Sequence, residues 1–432
     1  MLAQGKYNKV LALFKKLTNS EDKKRLLGNF LSLSGLQVFT YILPLITLPY
    51  LVRVLGVEKY GLVMFAQSFI VFFNILVDYG FNLSATREVA VNRDNKAKVT
   101  EIYSSVMTIK VLLLGASFAI LSSIVFSVEK FTPDATLYLL TFLMVVGQAL
   151  FPIWYFQGME RMKYITIINI LSRVIFTVAI FGFVHQEDDY ILVPVLNGLG
   201  ACVGSIYALW LVRTSFKQKF ELQNWKTISL HFKDSTQFFL SRVSVSVFTT
   251  ANGFVLGIFT NNTVVGYYSI AEKIYQAISG VYGPINQALY PYVAKEKNIR
   301  LFKKIFSLIV LLNVLGVSFL YFFGEYVLYF LFTDEVGVET IWSFKVFLIA
   351  NLVAVPSVLI GYPFLGALGY AYHVNLSVIY TSAFHLIGLL MLALLNQINI
   401  YSVVILIVLS ESFNSAYRFL VLYIKFYKRE KN

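Results

Sequence analysis

Residues 104–127 read SSVMTIKVLLLGASFAILSSIVFS, and Lys110 is the one charged side chain in this stretch. A helix needs about 20 predominantly apolar residues to cross the hydrocarbon core of a bilayer. Because no water is available there, the backbone polar groups must pair within the segment, and a helix achieves this. The stretch therefore predicts a membrane-spanning helix.

Eleven further stretches have the same character. The twelve predicted spans cover residues 28–52, 61–85, 104–127, 135–157, 164–184, 190–212, 234–259, 265–293, 305–323, 341–364, 375–395 and 401–424. Hydrophobic residues make up 58% of the 432-residue chain, and the mean hydropathy is +0.70, which is far from the composition of a soluble domain. We expect an all-α integral membrane protein with about twelve transmembrane helices, arranged as two six-helix bundles around a central cavity.

The net charge of +13 is unevenly distributed over the segments between the spans. The N-terminal segment, the C-terminal tail and the loops after even-numbered spans hold 27 of the 36 basic residues. The loops after odd-numbered spans hold few, and they carry acidic runs such as Glu187-Asp188-Asp189. The positive-inside rule therefore predicts that both termini lie in the cytoplasm. The excess of basic residues thus indicates the membrane topology of the chain, together with attraction to anionic lipid. We expect no nucleic acid partner.

The longest polar break between spans divides the chain into two halves. The predicted units are a cytoplasmic basic segment (1–27), a first six-helix bundle (28–213), a cytoplasmic linker (214–233), a second six-helix bundle (234–424) and a cytoplasmic tail (425–432). An even number of spans in each half makes both halves enter the membrane in the same direction, as in a parallel repeat. No cleavage site of a signal peptide follows the first span. Cys202 is the single cysteine and the four histidines lack metal-ligand spacing, so we expect neither a disulfide nor a metal site.

Charged residues inside spans are informative because each costs about 2.5–3.5 kcal/mol at the bilayer centre. In five helices, polar residues recur at spacings that place them on one face. The five stripes are Gln67, Asn74 and Asp78; Asn169, Arg173 and Thr177; Arg242, Ser246, Thr249 and Gly253; Glu272, Gln276, Ser279 and Gly283; and Glu411, Asn414, Ser415 and Arg418. Their number predicts a polar, net-cationic cavity between the two halves.

Such a cavity suits a substrate with an anionic group, since a guanidinium binds phosphate in a bidentate manner. The predicted substrate-binding residues are Arg242, Arg173, Lys110, Lys273 and Arg418. The predicted ion-coupling residues are the carboxylates Asp78, Glu272 and Glu411, which suit coupling to a proton or sodium gradient. The alternative is that these charges form buried ion pairs that hold helices together.

Enzyme motifs are missing from the sequence. It contains no GxxxxGK[ST] phosphate loop, no HExxH motif and no metal-cluster spacing. The loops after odd-numbered spans are short, whereas a membrane glycosyltransferase or polymerase ordinarily needs larger exposed loops for its active site. We therefore expect a protein that moves a substrate, with no catalytic residues and no bound cofactor.

Five stretches resemble the Wzx-type polysaccharide flippases. They are LPLITLPYLVRVLGVEKYG (43–61), DYGFNLSATRE (78–88), FPIWYFQGME (151–160), GYYSIAEKI (266–274) and ALYPYVAK (288–295). The resemblance covers residues 28–305 well, and the last four spans match mainly in number, length and loop polarity. These flippases belong to the multidrug/oligosaccharidyl-lipid/polysaccharide exporter superfamily.

The resemblance implies an inner-membrane flippase of O-antigen or lipopolysaccharide biosynthesis that works by alternating access. Its implied substrate is an undecaprenyl-pyrophosphate-linked oligosaccharide repeat unit, and its implied partners are a polysaccharide polymerase and a chain-length regulator. Two alternatives remain at this point. One is a drug or cation antiporter of the same superfamily, which would favour an acidic and aromatic cavity. The other is a membrane polymerase or ligase, against which the short loops argue.

Overall fold

The computed structural model describes the backbone of residues 21–427, and the side chains in that range except those of 21–34, Leu36, Val38, 240–249, Ala288, Asp334 and Tyr427. Regular structure in this part of the chain is helical. Its fifteen α-helices are α1 (Glu21–Asp78), α2 (Phe81–Asn92), α3 (Lys96–Ser127), α4 (Ala135–Thr141), α5 (Leu143–Leu150), α6 (Ile153–Gly158), α7 (Met162–Phe183), α8 (Leu192–Thr214), α9 (Trp225–Phe259), α10 (Asn262–Gly280), α11 (Tyr282–Glu296), α12 (Ile299–Phe332), α13 (Val338–Ile360), α14 (Ala371–Leu394) and α15 (Ile400–Leu422). Residues 1–20 of the predicted N-terminal segment lie outside the described residues, and so does the part of the predicted tail that follows residue 427.

The twelve predicted spans correspond to these helices. Eight helical runs in the described chain are long and apolar enough to cross a membrane, and two of them, Phe39–Asn92 and Val338–Leu394, each hold two predicted spans. The other two predicted spans correspond to α9 and to α10 with α11. Large apolar side chains such as Phe118, Val178 and Phe322 are exposed on the outer faces, as expected where lipid covers the protein. The chain is an all-α, multi-pass membrane protein.

Helix α1 contains the first two spans and a break between them at Gly56. Its φ of 70° and ψ of 163° are not helical. This region of backbone space strongly favours glycine, because a Cβ would clash there. Gly56 therefore separates a first segment of α1 from a second segment that ends at Asp78.

Asparagine begins five of the helices by capping free backbone N–H groups. In each case the side-chain oxygen accepts a hydrogen bond from the N–H three residues later, which is the favoured N-cap geometry. These caps are Asn95, Asn224, Asn261, Asn298 and Asn399. The sequence thus specifies where α3, α9, α10, α12 and α15 begin.

The two halves share one apolar core over only part of their length. We call the end of the molecule that carries residues 215–224 the linker end, and the opposite end, with residues 187–191 and 333–335, the far end. Toward the far end, a single core includes Val52 and Phe65 of the first half with Tyr268 and Phe347 of the second. Toward the linker end, each half has its own core. The described structure is therefore closed between the halves at the far end.

Helix α9 connects the halves at the linker end. The Ser235 and Ser84 hydroxyls are 2.8 Å apart, and the Thr236 hydroxyl lies 3.1 Å from that of Tyr79. His231 Nδ1 lies 3.0 Å from a Glu88 carboxylate oxygen, and its Nε2 lies 3.4 Å from a Glu101 oxygen. The start of α9 therefore packs on α1, α2 and α3 of the first half.

Candidate functional site: a cationic cavity in the first half

A cavity of about 630 Å³ lies among α1, α3, α5, α7 and α8, with one wall residue from the second half. That volume is within the range of roughly 300–1,000 Å³ typical of ligand sites. Two of the polar stripes expected from helical spacing line it in full. They are Gln67, Asn74 and Asp78 on α1, and Asn169, Arg173 and Thr177 on α7.

Asp78 and Lys110 form an ion pair at the wall. The Lys110 Nζ lies 3.8 Å from a carboxylate oxygen of Asp78, and the lysine side chain is 3% exposed while that of Asp78 is 20% exposed. Asp78 is the last residue of α1, because Tyr79 and Gly80 both adopt positive φ and turn the chain toward α2. The break in the helix therefore leaves a carboxylate opposite the middle of α3.

Two further cations line the same cavity from different halves. Arg173 comes from α7 and Lys273 from α10, and Lys273 is the wall residue contributed by the second half. With Lys110, the described lining holds three cationic side chains and the single carboxylate of Asp78. The cavity is thus net cationic, as the sequence predicts, but most of its wall belongs to the first half.

Side-chain amides are the second chemical feature of the wall. They are Gln67, Asn74, Asn82, Gln148, Asn169 and Asn197. The side-chain oxygens of Asn74 and Asn82 are buried and have no hydrogen-bond partner in the described structure, so each can accept a hydrogen bond from a ligand. The stripes drawn from helical spacing did not include Asn82, Gln148 and Asn197, because Gln148 and Asn197 are isolated polar residues in apolar stretches and Asn82 follows the break in the chain after Asp78.

Other predicted site residues lie in the second half, away from this cavity. Glu272 precedes Lys273 but turns inward, where it accepts a hydrogen bond of 2.9 Å from the Tyr268 hydroxyl. Glu411 shares a face of α15 with Asn414 and Arg418, which follow it by three and seven residues. The Arg418 guanidinium donates to the Ser377 hydroxyl (2.9 Å) and to the Ser357 carbonyl oxygen (3.0 Å).

The side chain of Arg242 lies outside the described residues, so its predicted role stays a prediction. The structure brings Asp78, Lys110, Arg173 and Lys273 together around one cavity. It places Glu272, Glu411 and Arg418 among the helices of the second half.

A buried histidine joins three helices of the second half. His385 is fully buried, its Nδ1 lies 2.9 Å from the Ser410 hydroxyl, and its Nε2 lies 2.8 Å from the Asn252 side-chain oxygen. The sequence signal for this site is a histidine within an apolar span, because such a side chain needs hydrogen-bond partners when it is buried. Asn252, Ser410 and His385 link α9, α15 and α14.

The family described as "Polysaccharide biosynthesis protein" matches residues 26–297, which include every lining residue of the cavity. The chain belongs to this family. A relative from Escherichia coli (strain K12), described as "Putative O-antigen transporter", is 33% identical over 316 residues, which are 68% of this chain and 74% of the relative. The family agrees with the resemblance seen in the sequence.

Solved structures with the same fold include a flippase and a multidrug resistance transporter. The lipid II flippase MurJ in an inward closed conformation has a TM-score of 0.70 at 14% identity, covering 89% of this chain and 86% of that one. An inward-facing multidrug resistance MATE transporter has a TM-score of 0.66 at 13% identity, covering 93% of this chain and 99% of that one. At these identities the likeness shows the fold alone: a twelve-helix arrangement of two bundles around a central cavity.

Proposed function

We propose that this protein is a flippase that moves undecaprenyl-pyrophosphate-linked oligosaccharide repeat units across the bacterial cytoplasmic membrane. Alternating access of the two halves would expose the cavity to each side in turn. The product would enter assembly of O-antigen or another surface polysaccharide. A polysaccharide polymerase and a chain-length regulator are its proposed partners.

The observation that carries this proposal is the composition of the cavity wall. Three cations face one carboxylate, so the cavity favours an anionic group such as a diphosphate. The surrounding amides offer both donors and acceptors, which suits the hydroxyl groups of sugars. The alternative within the same fold is a drug or cation antiporter, which would need more acidic than basic side chains in the wall of this cavity.

The orientation derived from charge belongs to the same proposal. With both termini in the cytoplasm, the linker end is the cytoplasmic end, and the described state is closed between the halves at the outside. A periplasm-dependent reporter fused after Glu187 should be active, and the same reporter fused after Lys219 should be inactive. Activity after Lys219 would reverse the orientation.

The carboxylates Asp78, Glu272 and Glu411 are the proposed coupling groups for a proton or sodium gradient. Asp78 is the first candidate, because it lies at the cavity wall beside Lys110, where substrate and ion can influence the same ion pair. Replacing it by Asn should make transport in proteoliposomes insensitive to the imposed gradient. Full gradient dependence in all three neutralised variants would refute the coupling.

Arg173 provides the sharpest test of the substrate class. We expect Arg173→Ala to lower transport of a fluorescent pyrophosphate-linked oligosaccharide in proteoliposomes by at least about tenfold, which corresponds to about 1.4 kcal/mol of lost interaction. Arg173→Lys should recover part of it, because an ammonium keeps the charge without the planar fork.

Arg161→Ala is the matched control, since this arginine is exposed at the start of α7 and outside the cavity lining. It should transport as the wild type does. If Arg173→Ala transports normally, or if the wild type moves cationic drugs and ignores the lipid-linked sugar, the proposal is wrong.

A further inference from the structure

A groove on the outside of the first half has the composition of a lipid site. It has a volume of about 480 Å³ and lies between α3, the end of α8 and the linker that follows α8. Its lining residues are Tyr103, Met107, Thr108, Val111, Leu112, Leu209, Arg213, Gln218, Phe220 and Leu222. None of them lines the cationic cavity.

The linker forms a fixed wall of this groove. Gln218 is buried, and its side-chain amide donates to the Thr100 hydroxyl at 2.8 Å. The backbone N–H of Glu221 donates to the Ser104 hydroxyl at 3.0 Å. These bonds attach the linker to the start of α3. Phe220 and Leu222 consequently stay at the groove even though no helix holds them.

The groove faces the bilayer with apolar side chains. Leu222 is 83% exposed, and Val111, Leu112 and Phe220 are each about half exposed. Side chains of this kind gathered in one concave patch mark a contact with an apolar partner. Since α3 runs from the linker end through the membrane, the patch lies at the depth of the leaflet next to that end.

The rim of the groove is cationic. Arg213 lines it at the end of α8, and Lys217 and Lys219 follow within the linker. Glu221 is the one acidic residue in 213–222, so the segment carries a net positive charge. Lipid chains are as apolar as the groove, so its apolar surface alone gives little preference over the bilayer. The rim charge therefore decides which lipid binds.

We infer that this groove binds one anionic phospholipid of the leaflet next to the linker end. An acyl chain lies along Val111, Leu112 and Phe220, and the headgroup phosphate accepts hydrogen bonds from the Arg213 guanidinium. Lys217 and Lys219 add attraction for the negative headgroup. The lipid holds the linker against α3, and with it the connection from the first half to α9.

Native mass spectrometry of the full chain with added lipid tests this site. Phosphatidylglycerol should bind as one retained molecule at least about tenfold more tightly than phosphatidylcholine with the same acyl chains. Arg213→Ala should abolish that preference. Val111→Trp should remove binding by filling the groove, and its lipid-facing position tolerates a larger apolar side chain.

Lys304→Ala is the control, because this lysine is exposed on α12 in the other half. It should leave phosphatidylglycerol binding unchanged. Equal binding of the two phospholipids, or a normal preference in Arg213→Ala, overturns the site. Unchanged binding in Val111→Trp also overturns it, because the headgroup would then bind without the groove. Displacement of phosphatidylglycerol by a pyrophosphate-linked polyprenol would assign the groove to the transported lipid instead.

Discussion

The chemical role of a cation within a membrane span is decided by the atoms around it, and Arg173 and Arg418 illustrate the two outcomes. Arg173 lines a cavity large enough for a ligand. Arg418 is 6% exposed and donates to Ser377 on α14 and Ser357 on α13. The Arg418 side chain thus donates these hydrogen bonds to other protein groups and connects α13, α14 and α15 of the second half.

We expect Arg418→Ala to destabilise the protein by about 3–5 kcal/mol, the magnitude found when one member of a buried charged network is removed. The substitution would remove the hydrogen bonds to the Ser377 hydroxyl and the Ser357 carbonyl oxygen, and it would remove the cation on the same face of α15 as Glu411. Thermal unfolding in detergent measures the change, with Arg173→Ala as the comparison that should unfold near the wild-type temperature. Normal unfolding with lost transport in Arg418→Ala would instead support the substrate-binding role that its sequence position suggested.

At the scale of helices, close approach between the halves depends on two glycines at the far end. Gly61 on α1 and Gly266 on α10 lie at a crossing where backbones meet. A Cβ on Gly61 would be 2.7 Å from the Gly266 nitrogen, and one on Gly266 would be 2.6 Å from Val57 Cγ1. Small residues of this kind let membrane helices pack closely. The atoms that a Cβ on Gly61 would meet belong to the backbone, so no change of side-chain rotamer can make room for it.

We expect Gly266→Ala to prevent full closure of the far end, because α1 and α10 must move apart to admit the methyl group. A cysteine placed at Leu62, which is 3% exposed, in a Cys202→Ser chain should become labelled by a membrane-impermeant maleimide severalfold faster. Gly316→Ala is the matched control, since a Cβ there meets nothing within 4 Å. Unchanged labelling in Gly266→Ala would show that the crossing is not needed for closure.

Helical spacing in the sequence predicts which polar residues share one face of a helix. It does not predict which part of the protein that face contacts. The stripes through Asp78 and Arg173 face the cavity as their spacing predicts. The stripe ending at Arg418 is equally regular, yet it meets serines from two other helices. Spacing within one helix shows which residues share a face, but the neighbour of that face is set by packing between distant segments. For the same reason, the sequence could not place most of the cavity wall in the first half.

At the scale of the whole molecule, the halves share a core toward the far end and are connected at the linker end through α9. His231 on α9 is 4% exposed and lies between Glu88 of α2 and Glu101 of α3. The Lys98 Nζ lies 2.7 Å from the same carboxylate oxygen of Glu101, so Lys98 competes with His231 for it. Burial opposes protonation, but the hydrogen bonds and charges of Glu88 and Glu101 prevail and raise the pKa of His231 above its ordinary value.

A histidine whose pKa is raised on folding stabilises the fold fully below its unfolded pKa, about 6.5. That contribution is lost as the pH rises through the higher folded pKa. We therefore expect the wild type to lose stability as the pH rises above about 6.5, by an amount near the roughly 1.5–3 kcal/mol of a hydrogen bond to a charged group. Thermal unfolding at a series of pH values measures this loss.

His231→Gln should unfold at a lower temperature than the wild type at pH 6, and the difference should shrink as the pH rises, because the glutamine carries no titratable charge. Glu88→Gln should reduce the pH dependence as well, since it removes the carboxylate that lies 3.0 Å from the ring. His185→Gln, at an exposed position near the far end, should keep the wild-type pH dependence. A wild-type pH dependence in His231→Gln would show that the contact between α9 and the first half does not depend on this proton.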